Sequence, residues 1–502
     1  FYFTNNNKSG EGKVDKNSIH IDILLIFFLL FIFLLIQPSS HNYETIDWDI
    51  NSFIVASLDI GRGNLPLENQ FENKQPLLFI IYYLFTLISG GKLIFIKLLN
   101  DLVLFSCSLL IYLIIRENNK KRGFEPFLGS LIFILLTSNF WFHPGYSEIF
   151  SILFISTSYF VLKKAKRSDL KILLSGILFS FSTTINIGTI IFVISFLLFI
   201  FNEFDNPVKK IFTFLMGFGI VHLLLITLYS FFGLINLYLI SFIYLPLSYS
   251  NSEFILFDEL TVFLNSLYDY NILILIILFI CFSNIVSKFT SRILIEKKLY
   301  KISHLNEFIF CINGLAFYYF AAKGYYHHLF FFLFFLSFGI SSIPTKNYKF
   351  IFSTLIFIAT FQTIILFGQQ SMSNLSNLNN LEENYPVKNI SKLVENQIDL
   401  DDTIFSSENI LILYYLDKPN SSYIVHPGLY NYEEVLDVLY KNNKVTQDEI
   451  KYQISLSPKL IEGSKEYIDM EVYKNIDTSK FETELTSYWA RNERIDIYIR
   501  NK

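Results

Sequence analysis

Long uninterrupted apolar runs, rather than stripes of period 2 or 3.6, fill most of the first 367 residues. A helix needs roughly 20 apolar residues to cross the hydrocarbon core of a bilayer, and an all-round apolar run is what a spanning helix requires. Runs at 19–36, 93–115, 126–142, 146–162, 170–184, 187–201, 211–232, 270–287, 305–321, 327–343 and 350–367 predict about eleven transmembrane helices. Residues 77–90 are apolar but short for a span. Arg116, Lys120, Lys121 and Arg122 follow the run 93–115 and would face outward if 77–90 crossed. The positive-inside rule therefore lays 77–90 along the outer interface. The clusters Lys163/Lys164/Lys166/Arg167, Lys209/Lys210, Lys288/Arg292/Lys297/Lys298/Lys301 and Lys346/Lys349 then all face the cytoplasm. Residues 1–18 become a cytoplasmic tail, and 19–367 a transmembrane domain with an external loop at 37–92. The connection 233–269 also falls outside, with Glu253, Asp258, Glu259 and Asp269.

The pattern changes after residue 367. Residues 368–386 are rich in Gln, Ser, Asn and Glu and read as a linker. Residues 387–502 mix short helix-like segments with strand-like ones at 403–405, 423–425 and 494–500, which predicts a small α/β domain. Span parity places it outside the cell. It offers no motif that carries chemistry. The fold class is thus mainly α: a polytopic helical bundle with a C-terminal extracytoplasmic α/β domain.

Composition agrees. Only 17% of the 502 residues are charged, where a soluble domain has about 25%, and 52% are hydrophobic. The net charge of −4 gives no sign of a nucleic-acid partner. Cys107, Cys281 and Cys311 lie far apart inside apolar runs, so neither a disulfide nor a metal ligand set is expected. The first residue is Phe rather than Met, which leaves the start of the chain open.

Chemistry gathers between Asp47 and Leu78, at the mouth of the membrane domain. Asp47-Trp48-Asp49 is followed by Gly63-x-x-Pro66 and then by Phe71-Glu72-Asn73-Lys74-Gln75-Pro76-Leu77-Leu78. Charges beside so much hydrocarbon are costly and point to a working site. Paired acids such as Asp47 and Asp49 also suit a hard cation, but no metal or other cofactor is expected. Glu148, after His143-Pro144-Gly145, is either a third active-site acid or a group that caps the following helix through its dipole. His327 and His328 suit either packing or substrate contact.

This stretch resembles the bacterial C-type (GT-C) membrane glycosyltransferases, which include protein O-mannosyltransferases, lipid A aminoarabinose transferases and RgtA-like transferases. Their first external loop often reads D-x-x-x-Y, then G-x-x-P-Y, then F-D-x-K-P-P-L. Here Asp49, Phe53, Gly63, Pro66, Phe71, Glu72, Lys74, Pro76 and Leu77 match it in order. Phe53 replaces the aromatic hydroxyl and Gln75 the first proline. Residues 146–188 and 323–336 resemble two later family segments. The resemblance implies transfer of a sugar from a polyprenyl-phosphate donor to a cell-envelope glycan, lipid or protein, at the outer face of a bacterial inner membrane. It implies Asp49 as the base, with Asp47 and Glu148 as further catalytic candidates. Lys74, Lys323 and His327 are the implied contacts of the donor phosphate. No Gly-rich phosphate loop is needed, because the donor arrives attached to lipid.

Three other readings stay open. An O-antigen polymerase or ligase would carry its key basic residues in a late loop. A transporter would show internal repeats or broken mid-membrane helices. A degenerate relative would bind lipid-linked sugar without turning it over.

Overall fold

The computed structural model describes residues 16–44, 47–118, 124–138, 142–165, 168–249, 256–296, 305–320, 325–342, 346–481 and 495–501. Helices dominate. In chain order the first nine long ones are α1 (Lys16–Ile36), α2 (Trp48–Gly61), α3 (Pro76–Ser89), α4 (Leu93–Asn118), α5 (Glu125–Leu136), α6 (Ser147–Lys163), α7 (Asp169–Thr183), α8 (Val193–Glu203) and α9 (Pro207–Phe231). Further helices cover Leu256–Glu296, Leu305–Phe320, Phe330–Leu336 and Lys346–Ser376.

Five segments are long and apolar enough to cross a membrane: His20–Asn42, Leu93–Glu117, Pro207–Phe231, Asn271–Thr290 and Asn347–Ser376. Leu24 and Phe27 on α1, Phe212, Leu223 and Leu224 on α9, and Phe361 and Ile365 on the helix Lys346–Ser376 are exposed. Such side chains suit a lipid face, where helical backbone satisfies its own polar groups. The chain is a multi-pass membrane protein. Helices α7 and α9 approach closely because small residues meet there. A Cβ at Gly176 would lie 2.1 Å from the Phe214 carbonyl oxygen, and one at Gly217 2.2 Å from that of Leu173.

Several expected spans are shorter or interrupted. Helix α5 stops at Leu136, short of the expected 142. The segment expected at 187–201 begins as a 3-10 turn, Ile187–Phe192, before α8. The one expected at 327–343 is a 3-10 turn (Tyr326–Leu329), the short helix Phe330–Leu336 and a second 3-10 turn (Ser337–Ser342). Phe330 to Leu336 are all buried. An apolar run that packs inside a bundle has the hydropathy of a lipid-facing one, so the runs alone do not separate the two. The expected connection 233–269 is largely helical in its described residues. Helix Leu256–Glu296 kinks at Asn271 (φ −165°), whose side chain accepts from Leu273 N–H at 2.9 Å and so caps the second half. The expected linker 368–386 continues the helix to Ser376 and adds short turns.

The C-terminal domain carries a four-stranded sheet of β1 (Ile404–Ser406), β2 (Leu460–Glu462), β3 (Tyr473–Ile476) and β4 (Ile497–Arg500), in the order β1-β2-β4-β3. β1 and β2 are parallel, and β4 is antiparallel to both neighbours. The domain packs directly on the loop between α1 and α4. Glu44 accepts the Val387 and Lys388 N–H groups at 2.6 and 2.9 Å, satisfying donors at the start of the helix Pro386–Val394. Phe71 forms a parallel bridge with Ile424: its N–H donates to the Tyr423 carbonyl at 2.6 Å, and its carbonyl accepts from Val425 N–H at 3.0 Å. The strand-like segment 423–425 therefore pairs with the loop after α2.

Candidate active site

Helix α2 sets the first acid. Asp47 is its N-cap, in extended backbone (φ −158°, ψ 150°), and its carboxylate accepts from Asp49 N–H at 2.8 Å. An Asp at this position satisfies a donor that the helix itself leaves unpaired. Asp49 sits in the first turn, where the helix dipole favours a negative charge. The acids of D-W-D thus turn to different partners. Burial pushes the Asp47 carboxyl up to about 7, and the charge of Asp49 pushes the same way.

Asp49 meets the C-terminal domain. Its Oδ1 lies 2.6 Å from His426 Nε2, and its Oδ2 faces His327 Nε2 at 3.8 Å, beyond hydrogen-bond reach. Burial alone would raise the Asp49 pKa. The His426 hydrogen bond, the charge of Lys74, and the charges that His426 and His327 carry when protonated outweigh that and hold the carboxyl well below the usual carboxylate range.

Lys74 enters from the segment before α3. Glu72 Oε2 accepts Lys74 N–H at 2.9 Å, and α3 then starts with Pro76 in its first turn, where no N–H is needed. The Lys74 ammonium lies in the field of Glu148, Asp49 and Glu72 and makes no direct ion pair among the described residues. Burial acts to lower its pKa, but the three carboxylates outweigh this and the net direction is up. Burial pushes Glu72 up to about 7, against the opposing charge of Lys74. Gln75 ties this segment to two others, donating to the Ser241 carbonyl at 3.1 Å and accepting from Ile187 N–H at 2.9 Å. Phe53 is buried against the Tyr82 ring, with centroids 5.7 Å apart. Both departures from the motif thus have structural uses.

The third acid stands across the site. Gly145, at φ +123°, turns the chain into α6; a Cβ there would sit 2.7 Å from Asn100 Nδ2. Glu148 follows in the first turn of α6. Its Oε1 accepts from Asn186 Nδ2 at 3.0 Å and its Oε2 from Ser147 Oγ at 3.1 Å, while His328 Nε2 lies 3.6 Å from Oε1. The His327 ring is stacked between Tyr146 and Tyr325, with centroids 4.1 and 5.6 Å away. Tyr325 pairs through its hydroxyl with Tyr432 of the C-terminal domain. Glu148, His327 and His328 bring one ligand atom each within 4.8 Å of one another. One carboxylate and two imidazoles form a donor set that a zinc-class cation takes.

The structure brings together Asp49, Lys74, Glu148 and His327, and makes Asp47 the cap that orients α2. Lys323 lies outside the described residues. The sequence reading gave no part to His426, Tyr432 and Asn186, and took Glu72 only as a motif match. His426 is the only histidine after His328, in Val425-His426-Pro427-Gly428, and that isolation was its one visible signal.

The chain is thus a multi-pass helical bundle whose first loop is covered by a small α/β domain, with acids, a lysine and histidines at the junction, and this fold is shared with solved structures. The solved structures it resembles include ArnT from Cupriavidus metallidurans in the apo state, at TM-score 0.58 and 10% identity, over 96% of this chain and 98% of that one. ArnT from the same organism bound to undecaprenyl phosphate matches at TM-score 0.57 and 10% identity, again over 96% and 98%. At this identity the likeness is one of fold. No protein-family model and no curated protein matches the sequence.

Proposed function

We propose that the chain is an integral-membrane glycosyltransferase that moves a sugar from a polyprenyl-phosphate donor to a hydroxyl of a cell-envelope glycan, lipid or protein. The observation that carries this reading is the pairing, in one junction site, of Asp49, one of whose carboxylate oxygens has no hydrogen bond among the described residues, and Lys74, whose ammonium has no ion pair among them. The solved relative bound to undecaprenyl phosphate supports a polyprenyl-phosphate donor.

In the reaction, the acceptor oxygen attacks the anomeric carbon while the bond from that carbon to the phosphate oxygen breaks. The polyprenyl phosphate leaves with the electron pair, and a single displacement inverts the anomeric centre. Asp49 Oδ2 takes the acceptor proton. A carboxylate held so low accepts it late, as the forming bond to carbon acidifies the hydroxyl. Lys74 supplies a positive point charge for the departing phosphate, with His327 and Lys323 as further contacts. Asp47 positions the start of α2. The site faces the outer side of a bacterial inner membrane, with the N-terminus in the cytoplasm and the C-terminal domain outside.

The test is transfer from a panel of radiolabelled polyprenyl-phosphate sugars, in membranes holding equal amounts of wild type or Asp49→Asn. Transfer that collapses in the variant supports the assignment and names the donor. Transfer that survives removes Asp49 as the base. Wild type inert with every donor removes the transferase reading.

A further inference from the structure

We infer that His426, carried by the C-terminal domain, is a positioning residue for the Asp49 carboxylate, so that the reaction centre is complete only when that domain is docked on the loop after α2. The inference rests on the transferase reading for its consequence, but on geometry alone for the contact.

The geometry leaves the imidazole one role. Its Nδ1 accepts the Gly428 N–H at 2.9 Å, so Nδ1 carries no proton and Nε2 carries the ring N–H. That N–H donates to Asp49 Oδ1 at 2.6 Å. Asp49, Glu72 and Asp47 draw the ring toward the imidazolium form, and the Gly428 N–H aimed at Nδ1 opposes it. The neutral Nε2–H tautomer satisfies both hydrogen bonds. A Cβ at Gly428 would lie 2.9 Å from His426 Cε1, so a larger residue there would push the ring from its place.

The segment bearing His426 is fixed to the loop, not merely laid on it. Beyond the bridge at Phe71, Gln70 accepts from Asn420 N–H at 2.8 Å and donates to the Asn420 carbonyl at 3.1 Å. The Tyr423 hydroxyl donates to the Leu67 carbonyl at 2.6 Å, and its ring stacks on Phe71 at 5.4 Å between centroids. These contacts place the imidazole within a narrow range of positions. With Oδ1 held from the domain side, the carboxylate cannot rotate freely, and Oδ2 stays turned toward His327, where an acceptor hydroxyl would enter. The group touches Asp49 and not the reacting atoms, so its work is orientation.

The first arm of the test is kinetic. His426→Ala should lower kcat for sugar transfer roughly 10- to 100-fold and leave the donor KM within about threefold, because orientation and not donor binding is lost. His426→Gln, whose amide Nε2 can stand where the imidazole Nε2–H stood, should recover much of that loss. A group that only holds the domain together would not give this split of kcat from KM, and Gln would not rescue it. The idea is overturned if His426→Ala, at equal folded amount, transfers within twofold of wild type. If the Ala variant does not fold, the Gln variant decides, and a fall in its kcat as deep as in Asp49→Asn also overturns it. The second arm does not need turnover. Solid-state NMR of [15N]histidine-labelled protein, assigned by the signal missing in His426→Gln, should show the Nε2–H tautomer, and Asp49→Asn should shift that nitrogen. An Nδ1–H tautomer, or a signal indifferent to Asp49→Asn, sinks the contact. Wild type inert with every donor would remove the transferase reading, while this second arm still decides the Asp49–His426 pair.

Discussion

At the Asp49 end of the candidate site, one carboxylate oxygen is bound by His426 and the other has no hydrogen bond among the described residues, with 23% of the side chain exposed. At the Glu148 end, both oxygens accept hydrogen bonds, from Asn186 and Ser147, His328 stands behind them, and 1% of the side chain is exposed. The same chemical group has an oxygen without a hydrogen bond among the described residues in one place and both oxygens hydrogen-bonded in the other. A carboxylate that must take a proton needs an open lone pair and access. One that orders its surroundings needs neither.

The sharpest way to break this contrast is to neutralise each acid. Asp49→Asn should lower transfer by roughly 10²- to 10⁴-fold with the thermal midpoint in detergent little changed. An equal fall with Glu148→Gln, which keeps most of the hydrogen-bonding positions, would erase the distinction. Next in size, Lys74→Ala should lower transfer by about 10²-fold, and Lys74→Arg should keep more of it than Ala, measured as kcat/KM for the donor. Glu148→Ala should show mainly as lost stability, of about 1–3 kcal/mol, because the Asn186 amide and Ser147 hydroxyl lose their buried acceptor. The thermal midpoint reads this out. The smallest effect concerns pH. Glu72 has its folded-state carboxyl raised to about 7, above its unfolded value, so its contribution to stability falls as pH rises between the two. Wild type should therefore lose more stability than Glu72→Gln between about pH 5 and pH 8 in paired thermal melts.

The bundle and the loop that carries half of the candidate site were legible in the sequence, for one reason: both depend on contrasts between neighbours along the chain. Apolar runs against basic turns mark the helices, and acids and a lysine against hydrocarbon mark the loop holding Asp49 and Lys74. The boundaries at 126–142, 187–201 and 327–343 were less legible, since hydropathy records what a residue avoids but not whether lipid or protein surrounds it. His426 was invisible because nothing beside it in sequence distinguishes it. Its weight comes from the pairing of Phe71 with Ile424, a contact between distant segments that no local pattern encodes. The strand-like segment 423–425 was visible, but its partner lay in the membrane domain and not in the sheet. Glu72 was on view inside the motif, but its contact with the Lys74 N–H depends on the bend of the loop, which spacing does not give.

His426 lies 377 positions after the carboxylate it holds. During synthesis, the loop with Asp49 and Lys74 leaves the ribosome before the segment that bears His426, with the described membrane helices from Leu93 onward between them. The contacts at Phe71 are therefore among the latest to form, as pairings of large sequence separation are. A nascent or prematurely terminated chain can insert its whole bundle and still carry an unclamped carboxylate. On the transferase reading proposed above, Asp49 is clamped only after the segment bearing His426 has been made and has come back to the loop after α2.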